Sequence, residues 1–162
     1  MAVTSSGLPL YTQSDLMEGK AMAADFTAQG WHDHLGLTDT PVLSPEQAGR
    51  KMAGLAQQLD FAFFEYWVSD YVGHHQDMDE AIQILQVFDG VLGGLVQAWD
   101  HEQGLIFLTS DHGNLEDLST RRHTYNPVPG LVIGSKRLRS TFSGCLHSLK
   151  DVASAILDYY KE

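Results

Sequence analysis

Cysteine is almost missing from this sequence: Cys145 stands alone among 162 residues. A lone thiol excludes an internal disulfide framework of the kind that small secreted domains depend on. Basic residues are scarce as well. Ten Lys and Arg face 21 Asp and Glu, for a formal net charge of −11. No basic cluster exceeds short pieces such as Arg121-Arg122 or Lys136-Arg137-Leu138-Arg139. A phosphate backbone would be repelled by most of such a surface, so nucleic acid is excluded as an expected partner. No uninterrupted apolar run approaches the roughly 20 residues that span a bilayer. The amino-terminal stretch Met1-Ala2-Val3-Thr4-Ser5-Ser6 has neither the basic region nor the apolar stretch of a signal peptide. These absences predict a soluble, cytoplasmic protein with no membrane partner.

What is there suits one ordinary folded domain. Hydrophobic residues make up 43% and charged residues 19%, enough to bury a core and too apolar for a disordered tail. The whole chain, 1–162, is expected to form a single domain without linker or repeat. Within it, 1–43 reads as an irregular covering segment and 44–162 as the organised part. An acidic chain can still take a phosphorylated small molecule where metal ions invert the local field, and eight histidines keep that reading open.

The pattern sharpens at Ser44. Ser44 can cap a helix, Pro45 fits its first position, and Gln47 completes a capping box. Ala48, Met52, Leu55 and Leu59 then recur at helical spacing. Phe61-Ala62-Phe63-Phe64-Glu65-Tyr66-Trp67-Val68 is nearly continuous and aromatic, which predicts a strand covered on both faces, as in a parallel sheet. After a loop at 69–76, Asp77 caps a second helix whose stripe is Ala81, Ile84, Leu85, Phe88, Val91, Leu92, Leu95 and Trp99. Gly90, Gly93 and Gly94 within it suggest close packing against the sheet. Leu105–Thr109 and Leu131–Ile133 read as further strands. Asp151 is placed to cap a last helix with Val152, Ile156, Leu157 and Tyr160 on its inner face. The order helix, strand, helix, strand, strand, helix predicts a layered α/β/α fold with a mainly parallel sheet.

Polar residues gather just after these strands, where open α/β sheets bind ligands. Asp70, Gly73, His74 and His75 follow the first; Asp111, His112, Gly113 and Asn114 follow the second; His123 lies before the third. Carboxylate and imidazole together suit a divalent transition metal better than calcium or magnesium alone. Each piece has an ordinary alternative, a turn for Asp111-His112-Gly113 or a solvated loop for His123, but all three fall on one predicted edge. His32, His34, His75 and His101 are read as surface or turn residues, and Cys145 as structural or incidental.

Asp70-Tyr71-Val72-Gly73-His74, then Thr109-Ser110-Asp111-His112-Gly113-Asn114-Leu115-Glu116, then His123-Thr124-Tyr125-Asn126-Pro127-Val128-Pro129 resemble three consecutive motifs of the alkaline-phosphatase-like metalloenzyme superfamily. The similar branch is that of cofactor-independent phosphoglycerate mutase and phosphopentomutase. Ser148–Leu157 is similar to the superfamily's closing helix, so the resemblance runs from about Phe61 to Leu157. It implies two divalent ions, manganese or zinc: one held by Asp70, His74 and His123, the other by Asp111 and His112. It further implies phosphoryl transfer on a small phosphorylated metabolite, by a mutase or a hydrolase. The family's Ser/Thr nucleophile and one further metal-binding Asp lie well before the three motifs, and the 60 residues before Phe61 offer no counterpart. Thr4, Ser5 and Ser6 lack a recognisable nucleophile setting. The expectation is therefore a C-terminal portion with no catalytic nucleophile, an incomplete second metal site, weak activity alone, and an N-terminal complementing segment as partner. The competing expectation is a non-catalytic metal-binding or interaction domain derived from the same superfamily.

Overall fold

The computed structural model describes residues 7–144 and 146–161; Thr4, Ser5, Ser6 and Cys145 lie outside them. Seven α-helices and two strands follow one another among these residues: α1 Gln13–Met17, α2 Gln29–Leu35, α3 Pro45–Ala56, α4 Val68–His75, α5 Met78–Ala98, β1 Ile106–Thr109, β2 Gly130–Ile133, α6 Lys136–Ser143 and, after a 3₁₀ turn at Leu149–Asp151, α7 Val152–Tyr159. They divide into two compact units, Met1–Ser69 with Ile82–Ala98, and Asp70–Ala81 with Trp99–Glu162.

Local chemistry explains three of the seven helix starts. Thr12 and Asp15 form a reciprocal capping box at α1, a signal present in a stretch read as irregular. Ser44 and Gln47 do the same at α3, with Pro45 at its first position. Asp77 accepts the Glu80 N–H at 2.9 Å and starts α5. Each cap satisfies amide donors that a helix otherwise leaves without partners. Helix α2 carries His32 and His34, so these two stand on a helix rather than in a loop.

The first unit is built on helix packing. Phe26, Ala48, Met52 and Val91 form its buried centre, with Phe64, Tyr66, Phe88 and Leu95 packed against them. The Tyr66 ring lies 5.0 Å from Phe26 and 5.2 Å from Phe88. Burial, with Asp25 adding, pushes its phenol up to about 12. Leu59 is exposed, as is Leu85 of the expected α5 stripe.

The expected strand at Phe61–Val68 is absent. Residues 61–66 join no ladder, and the sheet among the described residues consists of β1 and β2 alone. Exposure still alternates residue by residue, with Phe61, Phe63 and Trp67 outward, the trace of an extended chain. Without a neighbouring strand its backbone has no partner row, so apolar content does not become sheet. From Val68 onward the chain is helical, and the expected 69–76 loop is α4.

The mainly parallel sheet is likewise replaced by an antiparallel pair. Ile106 faces Ile133, Phe107 faces Val132, Leu108 faces Leu131 and Thr109 faces Gly130. Phe107 meets Phe142 of α6 at 5.1 Å between ring centres, and Phe142 meets Tyr159 of α7 at 6.3 Å. Helix α6 was not foreseen; its Leu138 and Phe142 are buried. On α7 the buried residue is Ala155, whereas Leu157 and Tyr160 are exposed, so the inner face is rotated from the expected one.

Helical structure also qualifies the absence of a membrane-length run. α5, with 21 residues, is long and apolar enough to cross a bilayer by length and composition. Asp79, Glu80 and Asp89 lie within it, Val91 is 2% exposed within the first unit's core, and 22% of its most apolar stretch is buried.

The glycines of α5 serve a helix rather than a sheet. A Cβ on Gly94 would strike the Glu46 carbonyl, and one on Gly90 would come within 2.6 Å of Pro45; Gly93 faces open space. From the other side, a Cβ on Gly49 of α3 would strike the Val91 carbonyl and reach within 2.9 Å of Gly94, while Gly54 has nothing within 4 Å. The two substitutions therefore have opposite signs. Gly54→Ala is expected to raise stability by about 0.5–1 kcal/mol through helix propensity. Gly49→Ala should lower it, because overpacking costs about 1–3 kcal/mol. Urea unfolding midpoints of the two variants check this; equal midpoints would mean that α3 and α5 do not approach this closely.

Candidate metal centre

The candidate residues all belong to the second unit. Asp70 and His74 are four apart on α4 and thus share one helix face. Asp111 and His112 follow β1 directly, where Ser110 Oγ donates to the His112 carbonyl at 2.8 Å. His123 lies in the segment that leads into β2. Antiparallel pairing places the end of β1, Thr109, opposite the start of β2, Gly130. The His112 and His123 segments consequently emerge at the same end of the pair. An isolated antiparallel bridge, Gly113 to Thr124, joins them.

Three atoms converge most tightly. His123 Nε2 is 3.1 Å from Asp70 Oδ1 and 3.2 Å from His74 Nε2, and His74 Nε2 is 3.5 Å from Asp70 Oδ1. Ligand atoms about 2.0–2.1 Å from a tetrahedral cation stand roughly 3.4 Å from one another, so the spacing suits such an ion. His112 adds a second trio: its Nε2 is 3.9 Å from Asp70 Oδ1, and one ligand atom each from Asp70, His112 and His123 lie within 4.8 Å of one another. The His112 ring stacks on His123 with centres 3.7 Å apart. The trio with His74 is the more compact. Asp111 stands at the rim, its side chain 86% exposed and its Oδ1 3.5 Å from His112 Nε2.

Hydrogen bonding fixes the chemistry of these atoms. His74 Nδ1 is 2.7 Å from the Arg121 carbonyl, which only accepts, so Nδ1 donates there and Nε2 is the ring nitrogen turned toward Asp70 and His123. His112 turns Nε2 toward Asp70 and Asp111, while its Nδ1 is buried without a hydrogen-bond partner. The donor set fits a divalent cation: imidazole and carboxylate, no thiolate.

Two residues quoted within the motifs, but given no role from sequence, prove central. Asn114 Nδ2 donates to Asp70 Oδ1 at 3.0 Å. Glu116 Oε2 accepts the Asn114 N–H at 2.6 Å, and its Oε1 accepts from Asn126 Nδ2 at 3.0 Å and from the Thr124 hydroxyl. The Thr124 hydrogen bond is the largest cause that holds the Glu116 carboxyl down at about 2. Their signal was position alone, two polar side chains just beyond Asp111-His112. The other histidines stay outside: His32 Nε2 is 2.6 Å from the Thr40 carbonyl, and His75 Nδ1 is 3.2 Å from Glu80.

Comparison with known proteins agrees with the motifs. The Metalloenzyme superfamily profile matches residues 40–161. Among curated relatives, a 2,3-bisphosphoglycerate-independent phosphoglycerate mutase of Desulforudis audaxviator is 37% identical over 127 residues, covering 72% of this chain and 24% of that protein. The proteins of the same name in Halobacterium salinarum and Gloeobacter violaceus are 38% and 31% identical, covering 61% and 75% of this chain and 20% and 26% of theirs. The chain thus spans about a quarter of the length of the curated relatives it matches. No solved structure matches it significantly. A profile match over three quarters of the chain, on the segment that brings carboxylate and imidazole together, makes this chain a member of the Metalloenzyme superfamily, whose fold is alkaline-phosphatase-like α/β and whose members bind divalent metal.

Proposed function

We propose that the chain is the C-terminal metal-binding portion of a two-metal phosphoryl-transfer enzyme that acts on a small phosphorylated metabolite. The observation that carries the reading is the convergence of Asp70, His74 and His123 to within 3.5 Å of one another. These three are proposed to hold one ion, and Asp111 with His112 a second. Manganese and zinc both suit this donor set. Two such ions, when bound, polarise a phosphoryl group and stabilise the entering and leaving oxygens.

The chain's own residues prepare that site. The Arg121 carbonyl fixes the His74 tautomer, and the Asn114 amide fixes Asp70. His112, stacked on His123, is held beside Asp111 at the solvent edge, where a substrate can approach. The metabolite class follows from the names of the relatives, each a phosphoglycerate mutase. A net charge of −11 would repel an anionic substrate unless cations offset it locally, which agrees with a metal-first site. A soluble phosphorylated metabolite as substrate is consistent with a cytoplasmic location, which is part of this proposal. The nucleophilic Ser/Thr and the further Asp are proposed to come from a complementing segment, since the match to this chain covers 24% and 20% of the first two relatives.

Metal binding tests the first half of this proposal. Zinc or manganese titrated into the chain by calorimetry should bind, and Asp70→Ala or His123→Ala should abolish binding at the tighter site. Asp111→Ala should leave that site intact and weaken only a second, looser one. Undiminished binding in Asp70→Ala would overturn the ligand assignment.

Activity tests the second half. The chain alone, with an activated phosphate ester and added manganese or zinc, is expected to show little turnover. Addition of the amino-terminal part of a relative should raise it. Full metal-dependent turnover by the chain alone, lost in Asp111→Ala, would show that the site needs no complement. No turnover in either mixture, with metal bound, would favour a non-catalytic metal-binding domain.

A further inference from the structure

We propose that Glu116 is a positioning residue of the metal centre: its carboxylate ties the segment that bears His112 to the segment that bears His123, and through Asn114 it sets the face of Asp70 turned toward both. This rests on the reading of Asp70, His74, His112 and His123 as ligands and names what holds them in register.

Both carboxylate oxygens are engaged, on different sides. Oε2 takes the Asn114 N–H from its own segment; Oε1 takes the Thr124 hydroxyl and the Asn126 amide from across the gap. A carboxylate offers about four lone-pair sites, so one exposed side chain spends three of them on fixed donors within the protein. Each donor lies close to a proposed ligand. Thr124 follows His123 directly, and its N–H also bonds the Gly113 carbonyl at 2.8 Å. Asn114, once held by Glu116, donates its side-chain amide to Asp70 Oδ1 at 3.0 Å.

Two glycines keep room for this network. A Cβ on Gly113 would strike the Thr124 hydroxyl and come within 2.6 Å of Glu116 Oε1, and a Cβ on Gly73 would strike the Asn114 side-chain oxygen. The hydrogen bonds also hold the Glu116 carboxyl down at about 2, from an ordinary 4.5. A carboxyl lowered in the folded state contributes fully above pH 4.5, and that contribution is lost as pH falls through about 2.

The chemistry requires a carboxylate rather than an amide. A glutamine has one acceptor oxygen and one NH₂ group. With its oxygen toward Asn114 N–H, its NH₂ can donate to the Thr124 hydroxyl but opposes the Asn126 NH₂; with its oxygen toward Thr124 and Asn126, its NH₂ opposes the Asn114 N–H. Glu116→Gln therefore keeps size and gives up at least one of the three hydrogen bonds of the tie.

Cobalt(II) serves as the probe, because its visible absorption reports ligand geometry as well as occupancy. The unaltered chain is titrated beside Glu116→Gln, Thr124→Val, Thr124→Ser and the double variant Glu116→Gln/Thr124→Val, with circular dichroism as a folding control. Glu116→Gln is expected to weaken cobalt binding about 10–100-fold, the usual cost of losing a residue that orients a ligand, and to alter the absorption band at saturation. Thr124→Val should lose part of the affinity, Thr124→Ser should retain it, and the double variant should be no worse than Glu116→Gln. Without metal, the Glu116 carboxyl carbon followed by NMR should titrate near pH 2. Equal affinity and an unchanged band in Glu116→Gln or, should that variant misfold, in Thr124→Val would overturn the proposal, as would a Glu116 midpoint near 4.5. Failure of the ligand reading looks different: the unaltered chain would then bind no cobalt, or bind it equally well as Asp70→Ala, and this inference would fall with it.

Discussion

Asp70 Oδ1 is the point on which the second unit turns. Within 4 Å of this one oxygen stand Asn114 Nδ2, His123 Nε2, His74 Nε2 and His112 Nε2. The groups come from three stretches of chain: helix α4, the segment after β1 and the segment before β2. A single carboxylate oxygen cannot satisfy four nitrogens with lone-pair geometry alone. Asn114 donates to it directly, and the three imidazole nitrogens gathered around it are the arrangement in which a divalent ion is proposed to sit. Much of the local architecture serves to bring these stretches together, from the antiparallel β1–β2 pair to the Gly113–Thr124 bridge.

The sequence was legible where the determining interaction is local. Ser44-Pro45 with Gln47, and Asp77, start helices just as their capping chemistry requires. Leu105–Thr109 and Leu131–Ile133 became β1 and β2 to within a residue. It was least legible where a partner decides. Phe61–Val68 has every mark of a buried strand, but a strand exists only with a neighbour, and composition does not say which neighbour is present. The same limit hid the antiparallel sense of the β1–β2 pair.

The candidate site shows a third case, in which the signal was available and pointed elsewhere. Asp70 and His74 were read into a loop because a strand was expected to end before them. Their spacing of four is itself the helical repeat, and α4 uses it to set carboxylate and imidazole on one face. The glycines of α5 are similar. Their crowding was visible in the sequence, but only the structure shows that Glu46 and Pro45 of a helix, and not a sheet, fill the space they leave.

Three carboxylates stand in this small region, and their surroundings sort them. Glu116 has three lone-pair sites committed to fixed donors; to bind a cation it would have to surrender hydrogen bonds that hold two segments together. Asp111 is 86% exposed on its side chain and 3.5 Å from one imidazole, so it stays accessible but weakly oriented. Asp70 lies between these extremes, held by one amide donor and facing three imidazoles. An effective metal ligand needs orientation without saturation, because fixed geometry limits the entropy lost on binding while an uncommitted lone pair supplies the bond. Of the three, Asp70 meets both conditions. Hydrogen-bond occupancy therefore supports the division of tasks proposed for the carboxylates: Asp70 to hold the tighter ion, Asp111 to complete a looser site at the solvent edge, and Glu116 to keep the scaffold in register.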